Sequence, residues 1–499
     1  MLRKIRLTLA LVFFLGITAL FLDFTGTVHA WLGWMAKVQF LPALLAVHVG
    51  VVVMLLLLTW ALGRVYCSVI CPLGVMQDVV SGFAKLRKKG RNRYSYSRPK
   101  TWLRVTVMGI FVAALLAGIG SLAALFAPYS AYGRIVSSLF QPVYILANNL
   151  LADMAERADS YAFYTADVWI KSVATLAVAV VTFVVIVVLA WRNGRTYCNT
   201  ICPVGTLLGF VARYSWLSPV IDKSKCNGCR LCERNCKAAC IDAKAHKIDY
   251  SRCVACMDCI DKCHRHAISY VRRTKNDCCA GKSGTAGESV DKSRRAFVTA
   301  TAVATTSAIL NAQEKTVDGG LAVIEDKKVP ERKTSITPPG SLSARNMAQH
   351  CTACQLCVSV CPNGVLRPST DLTKLMQPEC SYERGYCRPE CVKCADVCPA
   401  GAIRPITVAD KSSIQIGHAV WIKKNCIPLT DGVECGNCAR HCPSGAIQMV
   451  ASDAGNEESV KIPVVNTERC IGCGACENLC PARPFSAIYV EGHEMHRFI

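Results

Sequence analysis

The sequence predicts an α-helical membrane domain followed by small α+β domains, and three observations carry that prediction. Four apolar runs, near 6–22, 40–62, 102–127 and 170–191, approach or exceed the ~20 residues that a helix needs to cross a bilayer. All but two of the 32 cysteines follow the last of these runs, and most recur as C-x2-C-x2-C-x3-C units. After three of the cysteine groups, "CPNGVLRP", "CPAGAIRP" and "CPSGAIQM" share one grammar, a turn and then a short strand.

The length of 499 residues allows about three domains. A disulfide-stapled protein would be small and secreted, without such cysteine units, so most of the thiols read as metal ligands. The formal charge of +22 does not indicate nucleic acid, because no nucleic-acid module is recognisable. Basic residues that orient membrane helices account for part of it. Cluster-bound thiolates, which the formal count ignores, offset more.

In the membrane part (1–215), the first run follows "MLRKIR" and precedes "TVHA". It therefore has the make-up of a signal peptide too, although the further spans favour its retention. The 63–101 loop holds nine Lys/Arg against Asp78 alone, and the 128–169 loop holds Arg134 and Arg157 against four acids. That bias places the first loop in the cytoplasm and the second outside. An internal repeat pairs "GRVYCSVICPLG" (63–74) with "GRTYCNTICPVG" (194–205). Cys67 and Cys71 share a helical face, as do Cys198 and Cys202. Joined, the four thiols would make a further metal site or a thiol–disulfide relay; apart, they are packing residues. His48, His29 and Asp23 are ionisable groups near span depth, candidates for proton or quinol contact or simply accommodated there. No C-x2-C-H haem motif occurs.

The next domain (216–275) holds two complete cysteine runs. Three thiolates at C-x2-C-x2-C pitch wrap one corner of a four-iron cubane, and the fourth crosses to the other cluster. The spacing therefore groups Cys226, Cys229, Cys232 and Cys263, and separately Cys253, Cys256, Cys259 and Cys236. A zinc site would need paired C-x2-C motifs instead. The proline usual after the last cysteine is replaced by Lys237 and His264, which are either tuning cations or solvated charges. Cys240, Cys278 and Cys279 are spare.

Residues 276–344 read as linker, polar at first, then carrying Arg294–Arg295 ahead of a weakly apolar run at 296–310. The segment 293–312 has the form of a twin-arginine signal or anchor. A 313–344 segment ends in "TSITPPGS". Clusters are assembled in the reducing cytoplasm, so a domain carrying them must be exported folded, which explains an export address inside the chain.

The last domain (345–499) has four cysteine groups and seventeen thiols for four clusters. Setting Cys380 aside leaves sixteen. Pairing outer group with outer group puts Cys351, Cys354 and Cys357 with Cys480, and Cys470, Cys473 and Cys476 with Cys361. The inner eight, Cys387, Cys391, Cys394, Cys398, Cys426, Cys435, Cys438 and Cys442, are assigned only as a set, with room for a three-iron or empty site. The fold class is thus a four-span helical membrane domain, five spans if 296–310 stays, plus α+β tandem ferredoxin-like 4Fe–4S domains. Six clusters are expected.

On these motifs, residues 1–275 resemble the NapH family of membrane ferredoxins from periplasmic nitrate reductase systems. Residues from about 290 to 499 resemble the NapG family, with its twin-arginine leader and four clusters, although that pair is normally two chains. The C-x3-C-P motifs are also similar to those of NosR and CcoG proteins, and the C-terminal half to MauM. The NapH/NapG resemblance implies a multi-pass bacterial inner-membrane electron carrier, a quinol-dehydrogenase subunit rather than a stand-alone enzyme. Its partners would be membrane lipid, quinol and a periplasmic reductase or cytochrome subunit, and no catalytic residues are expected. The alternatives are a maturation or metal-handling reductase and a redox-sensing membrane regulator.

Overall fold

A computed structural model describes residues 2–87, 94–273, 326–453 and 455–499. The twin-arginine pair, the 296–310 run, Cys278 and Cys279 lie outside the described residues. Among those described, three helices are long and apolar enough to cross a membrane: α1 (Leu2–Leu22), Pro128–Glu156 and Val173–Asn193. The first and third coincide with expected spans. The other two expected spans are broken. The 40–62 run divides into Phe40–Leu45 and Val49–Leu62 around Val47, whose φ is 56°. The 102–127 run divides into Thr101–Leu116 and Gly120–Phe126 around Gly118, whose φ is 73°. Both breaks close in the same way, with His48 N–H on the Ala43 carbonyl and Ile119 N–H on that of Ala114, each at 2.9 Å. This left-handed closure satisfies carbonyls that a helix end leaves free.

The expected external loop is mostly helix. Pro128–Glu156 runs 29 residues, with a π-helical turn at Val136–Phe140. Its mean hydropathy is 1.3, against 2.3 for α1 and 3.0 for Val173–Asn193. It can be this polar because its first turns are buried in protein, where Gln141 donates to the Ser359 carbonyl and accepts from Lys171.

The two cysteine-rich regions pack at opposite ends of α1. At its start, Arg3 pairs with Asp258 and Asp261. Nearby, Trp216 N–H donates to the Trp60 carbonyl, Tyr270 OH to that of Leu62, and Arg195 N–H to that of Lys237. Asp78, whose side chain is 11% exposed, joins these parts: it pairs with Arg6, Arg195 and Lys237. The guanidinium of Arg195 outweighs burial and holds the Asp78 carboxyl far below the usual range. At the other end, Lys393 donates to the Thr25 carbonyl, and Trp169 lies between Arg367 and Arg384, 4.6 and 5.0 Å from their guanidinium carbons. Both helix breaks face this second region: Gly401 abuts Ala46, and Gly118 abuts Gln349. A Cβ on Gly133 would fall 2.3 Å from the Cys354 carbonyl oxygen, so glycine there permits the closest approach.

The first cysteine-rich region pairs β1 (Leu217–Ile221) with β4 (Ile268–Arg272), and β2 (Ile241–Asp242) with β3 (Lys247–Ile248), all antiparallel. The second begins with one short pair, β5 (Leu366–Pro368) and β6 (Pro378–Cys380). It then repeats the four-strand plan: β7 (Ile414–Trp421) pairs with β10 (Ile488–Phe498), and β8 (Ile447–Asp453) with β9 (Asn456–Val465). The described end of the linker is not free chain. Lys327 caps the carbonyls of Glu477, Asn478 and Cys480, and buried Arg332 pairs with Glu477. One continuous apolar core runs from Cys236 and Cys259 through the membrane helices to Cys354 and Cys380.

Breaking a buried ion pair costs about 3–5 kcal/mol. Asp78→Asn should therefore lower the denaturation free energy of the detergent-solubilised protein by about that amount. Asp153→Asn, in an exposed pair with Arg157, should change it by no more than about 0.5 kcal/mol.

Candidate metal centres

In the 216–273 region the structure brings Cys226, Cys229, Cys232 and Cys263 around one cavity. Cys236, Cys253 and Cys256 surround Cys259 and, after burial itself, push its thiol up. Cys240, spare in the sequence, is buried beside this second set, 3.5 Å from the Cys236 sulfur. Its S–H bonds to Cys236 and Cys253 hold both toward the thiolate and push Cys240 up.

The second region departs from the expected pairing. Cys351, Cys354 and Cys357 share their cavity with Cys398, not Cys480. Cys361 lines a cavity with Cys387, Cys391 and Cys394, not with the Cys470 group. Cys480 joins Cys426, Cys435 and Cys438. The remaining set is Cys442 with Cys470, Cys473 and Cys476; burial, and then repulsion from the neighbouring sulfurs, pushes the Cys470, Cys473 and Cys476 thiols up. Neighbouring groups therefore exchange their last cysteines. The reason is packing: the short helix Leu356–Ser359 lies on Lys393–Asp396, and Asn437–Arg440 lies on Ala475–Asn478. Cys380, set aside in the sequence, is buried on the cavity of Cys361 and Cys387. The halves meet where Cys387 N–H donates to the Cys473 carbonyl at 2.9 Å and Tyr382 OH to that of Gly472 at 2.7 Å.

The repeat in the membrane domain folds as a crossed pair. Arg64 reaches the Cys198 carbonyl at 3.0 Å, and Arg195 reaches that of Cys67 at 2.6 Å. Arg64 also donates to the Asn199 side chain and lies 3.6 Å from the Cys67 sulfur. Cys71 and Cys202 each stand before a proline that opens a helix, Pro72–Arg87 and Pro203–Ala212. Gly205 N–H donates to the Cys202 sulfur at 3.3 Å, and Gly74 N–H supports Cys71 in the same way. Gln77 donates to the Cys198 sulfur at 3.3 Å. All four thiols are buried and in one core. Burial pushes Cys71 and Cys202 up, and Cys198 and Cys67 push both further. Burial alone would lower Arg64, but Cys67 and Cys198 hold it up. Tyr66 bonds Gln39 and the Phe40 N–H, and Tyr197 bonds the Phe126 carbonyl, so each repeat touches a segment that returns toward the second region.

Among the other singled-out residues, Lys237 is not solvated but paired with Asp258 and Asp78. His264 is exposed. Asp23 caps the N–H groups of Thr25, Gly26 and Val28. His48 is exposed at the start of Val49–Leu62, and His29 is half-buried with neither ring nitrogen bonded. Arg64, Arg195, Tyr66 and Tyr197 belong to the G-R-x-Y-C repeat itself. Gln77 and Asp78 lie just beyond it, and nothing in the spacing marks them.

Two family models match. A 4Fe-4S binding domain matches twice, at 43–91 and 175–224, once over each repeat. A 4Fe-4S dicluster domain matches 433–483. The chain carries 4Fe–4S ferredoxin-type domains. An uncharacterized protein of Methanocaldococcus jannaschii is 42% identical over 81 residues, 16% of this chain and 32% of that protein. The ferredoxin-type protein MauN of Paracoccus denitrificans is 24% identical over 198 residues, 40% of this chain and 56% of its own length. The ferredoxin-type protein NapH of Escherichia coli is 25% identical over 241 residues, 47% of this chain and 70% of its own. The chain thus spans a third to rather more than half of the first two relatives. No solved structure matches.

The exchange of last cysteines can be tested by iron loss. Cys354→Ala with Cys398→Ala should cost no more iron than either change alone, about four atoms for one cubane. Cys354→Ala with Cys480→Ala should cost about eight, since two sets are then broken.

Proposed function

We propose that this protein is a membrane-bound iron–sulfur electron carrier that passes electrons from quinol to an acceptor on the far side of the membrane. The carrying observation is the serial arrangement of thiol sets at both ends of one helical bundle. At the start of α1 lie the sets of Cys226 and Cys236. At its far end follow those of Cys354, Cys361, Cys442 and Cys480, in that order of contact. Six such sets are each suited to a 4Fe–4S cubane, which changes charge by one electron with little movement of its ligands. Four thiolates leave no open ligand position for substrate, which favours a wire over a site of bond chemistry.

The loop charges favour a cytoplasmic position for the 216–273 sets and a periplasmic one for those of 345–499. The twin-arginine segment then serves export of the second region after its clusters are in place. Electrons would leave from the Cys426, Cys435, Cys438 and Cys480 set, the most distant from the bundle, to a periplasmic reductase or cytochrome subunit, as the resemblance to NapH and NapG suggests. A metal-handling role is less well supported, because the repeat thiols are too buried to hand over a metal ion.

The six sets should hold about 24 iron atoms per chain, measured on protein purified without air; about eight would end the reading of the second region. A C-terminal reporter should be reached by protease in intact spheroplasts, and Arg294→Lys with Arg295→Lys should trap it inside. A reporter inside in the unaltered protein would reverse the topology.

A further inference from the structure

We propose that Cys67, Cys71, Cys198 and Cys202 jointly hold one further 4Fe–4S cluster, with two ligands from each repeat, inside the membrane domain between the two cysteine-rich regions. The family match covers each repeat separately and names no ligand. The inference concerns a single centre shared by both, additional to the six sets above. Its role as a relay rests on the electron-transfer reading; its existence does not.

Charge carries the argument. Arg64 is fully buried, and its partners are Asn199, the carbonyls of Ser251 and Cys198, and the Cys67 sulfur. Among the described residues no carboxylate pairs with it, and its Nε has no partner. A buried cation without a counter-charge is strongly unfavourable. Packing cysteines and a disulfide are both neutral and would leave Arg64 uncompensated. Metal-bound thiolates supply the missing negative charge. The same sign suits the thiols themselves: Cys71 and Cys202 stand at the N-termini of two helices, where N–H groups and the helix dipole favour an anion.

The donor set points to iron and sulfide. Four thiols with no imidazole or carboxylate among them suit a cubane, which takes one thiolate at each of its four irons. The two stretches matched by the 4Fe-4S binding domain, 43–91 and 175–224, hold these four cysteines and no others, so one complete ligand set needs both repeats.

Position gives the centre its use. Residues 3 and 21 of α1, the first paired with Asp258 and the second beside Gly133, the residue that approaches Cys354, are about 27 Å apart at 1.5 Å per residue. The repeats lie between. On one side Asn199 donates to the Ala238 carbonyl at 3.2 Å and Arg64 to that of Ser251 at 3.2 Å, next to Cys236 and Cys253. On the other, Tyr197 meets Phe126, two residues before the helix whose Gly133 touches Cys354. One electron enters as the Cys236 cluster is oxidised and leaves as the Cys354 cluster is reduced, with no atom or proton transferred.

The test compares iron and sulfide in full-length protein purified without air with those in Cys71→Ser/Cys202→Ser. Serine is nearly isosteric and preserves the helix-capping acceptor. The variant should contain four fewer iron atoms per chain, one cubane. Equal iron in the two proteins overturns the proposal, as does loss of stoichiometric copper or zinc with iron unchanged. The difference judges this centre, whereas the total, about 24 without it, judges the six sets, so the two readings fail separately. Gln77→Leu, which copies Leu208 at the same place in the other repeat, guards against misfolding. It should keep all iron, remove the hydrogen bond to the Cys198 sulfur, and lower the midpoint of one cluster signal in a redox titration. No shifted midpoint would also overturn the proposal.

Discussion

The burial of guanidinium charge at the heart of the helical bundle is the constraint on which the rest of this structure depends. Arg64 and Arg195 are almost wholly withdrawn from solvent, where a lone cation is unfavourable. The two repeats meet this by crossing, each arginine bonding the first cysteine carbonyl of the other copy. Neither copy satisfies its own arginine in this way, so the repeats must associate. That association brings the four thiols into one buried core. Arg195 then reaches Asp78, and through it Arg6 and Lys237, so the same network anchors the first cysteine-rich region to the bundle.

The helix breaks follow a related logic at the other end. A membrane helix stopped in mid-course exposes polar backbone, which lipid cannot satisfy. Here the breaks at Val47 and Gly118 close on themselves and lie beneath the second cysteine-rich region, against Gly401 and Gln349. The break at Val47 follows Tyr66's partners Gln39 and Phe40, and the break at Gly118 precedes Tyr197's partner Phe126, so each broken run is tied by a tyrosine to one repeat. The buried turns of Pro128–Ile135, which meet Cys354 through Gly133, bring both aromatic and polar side chains to this side of the bundle, Tyr129, Tyr132 and Arg134 among them.

Two sulfurs outside the expected ligand sets refine the picture. Cys240 donates to Cys236 and Cys253, and Cys380 is buried against the cavity of Cys361 and Cys387. Hydrogen bonds to cluster sulfurs are among the means by which proteins adjust reduction potential. Lys237, by contrast, has its charge engaged by two carboxylates and is less able to act on the neighbouring cluster.

Local pattern alone determined a good part of this protein. Apolar length marked α1 and Val173–Asn193, cysteine pitch marked the runs of ferredoxin type, and the repeat marked Arg64, Tyr66, Cys67 and Cys71 with their counterparts. These are properties of contiguous residues, where spacing along the chain and spacing in space nearly coincide. Tertiary structure alone decided which runs exchange their last cysteine. The outer groups look alike in sequence, yet short helices pack with their chain neighbours, and Cys398 reaches Cys354 while Cys480 reaches Cys426. It also decided that Pro128–Glu156 is a helix, because its polar residues find partners in Ser359 and Lys171 rather than in water. Likewise Asp78 became the junction of three cations only when helices far apart in sequence were brought within ion-pair distance.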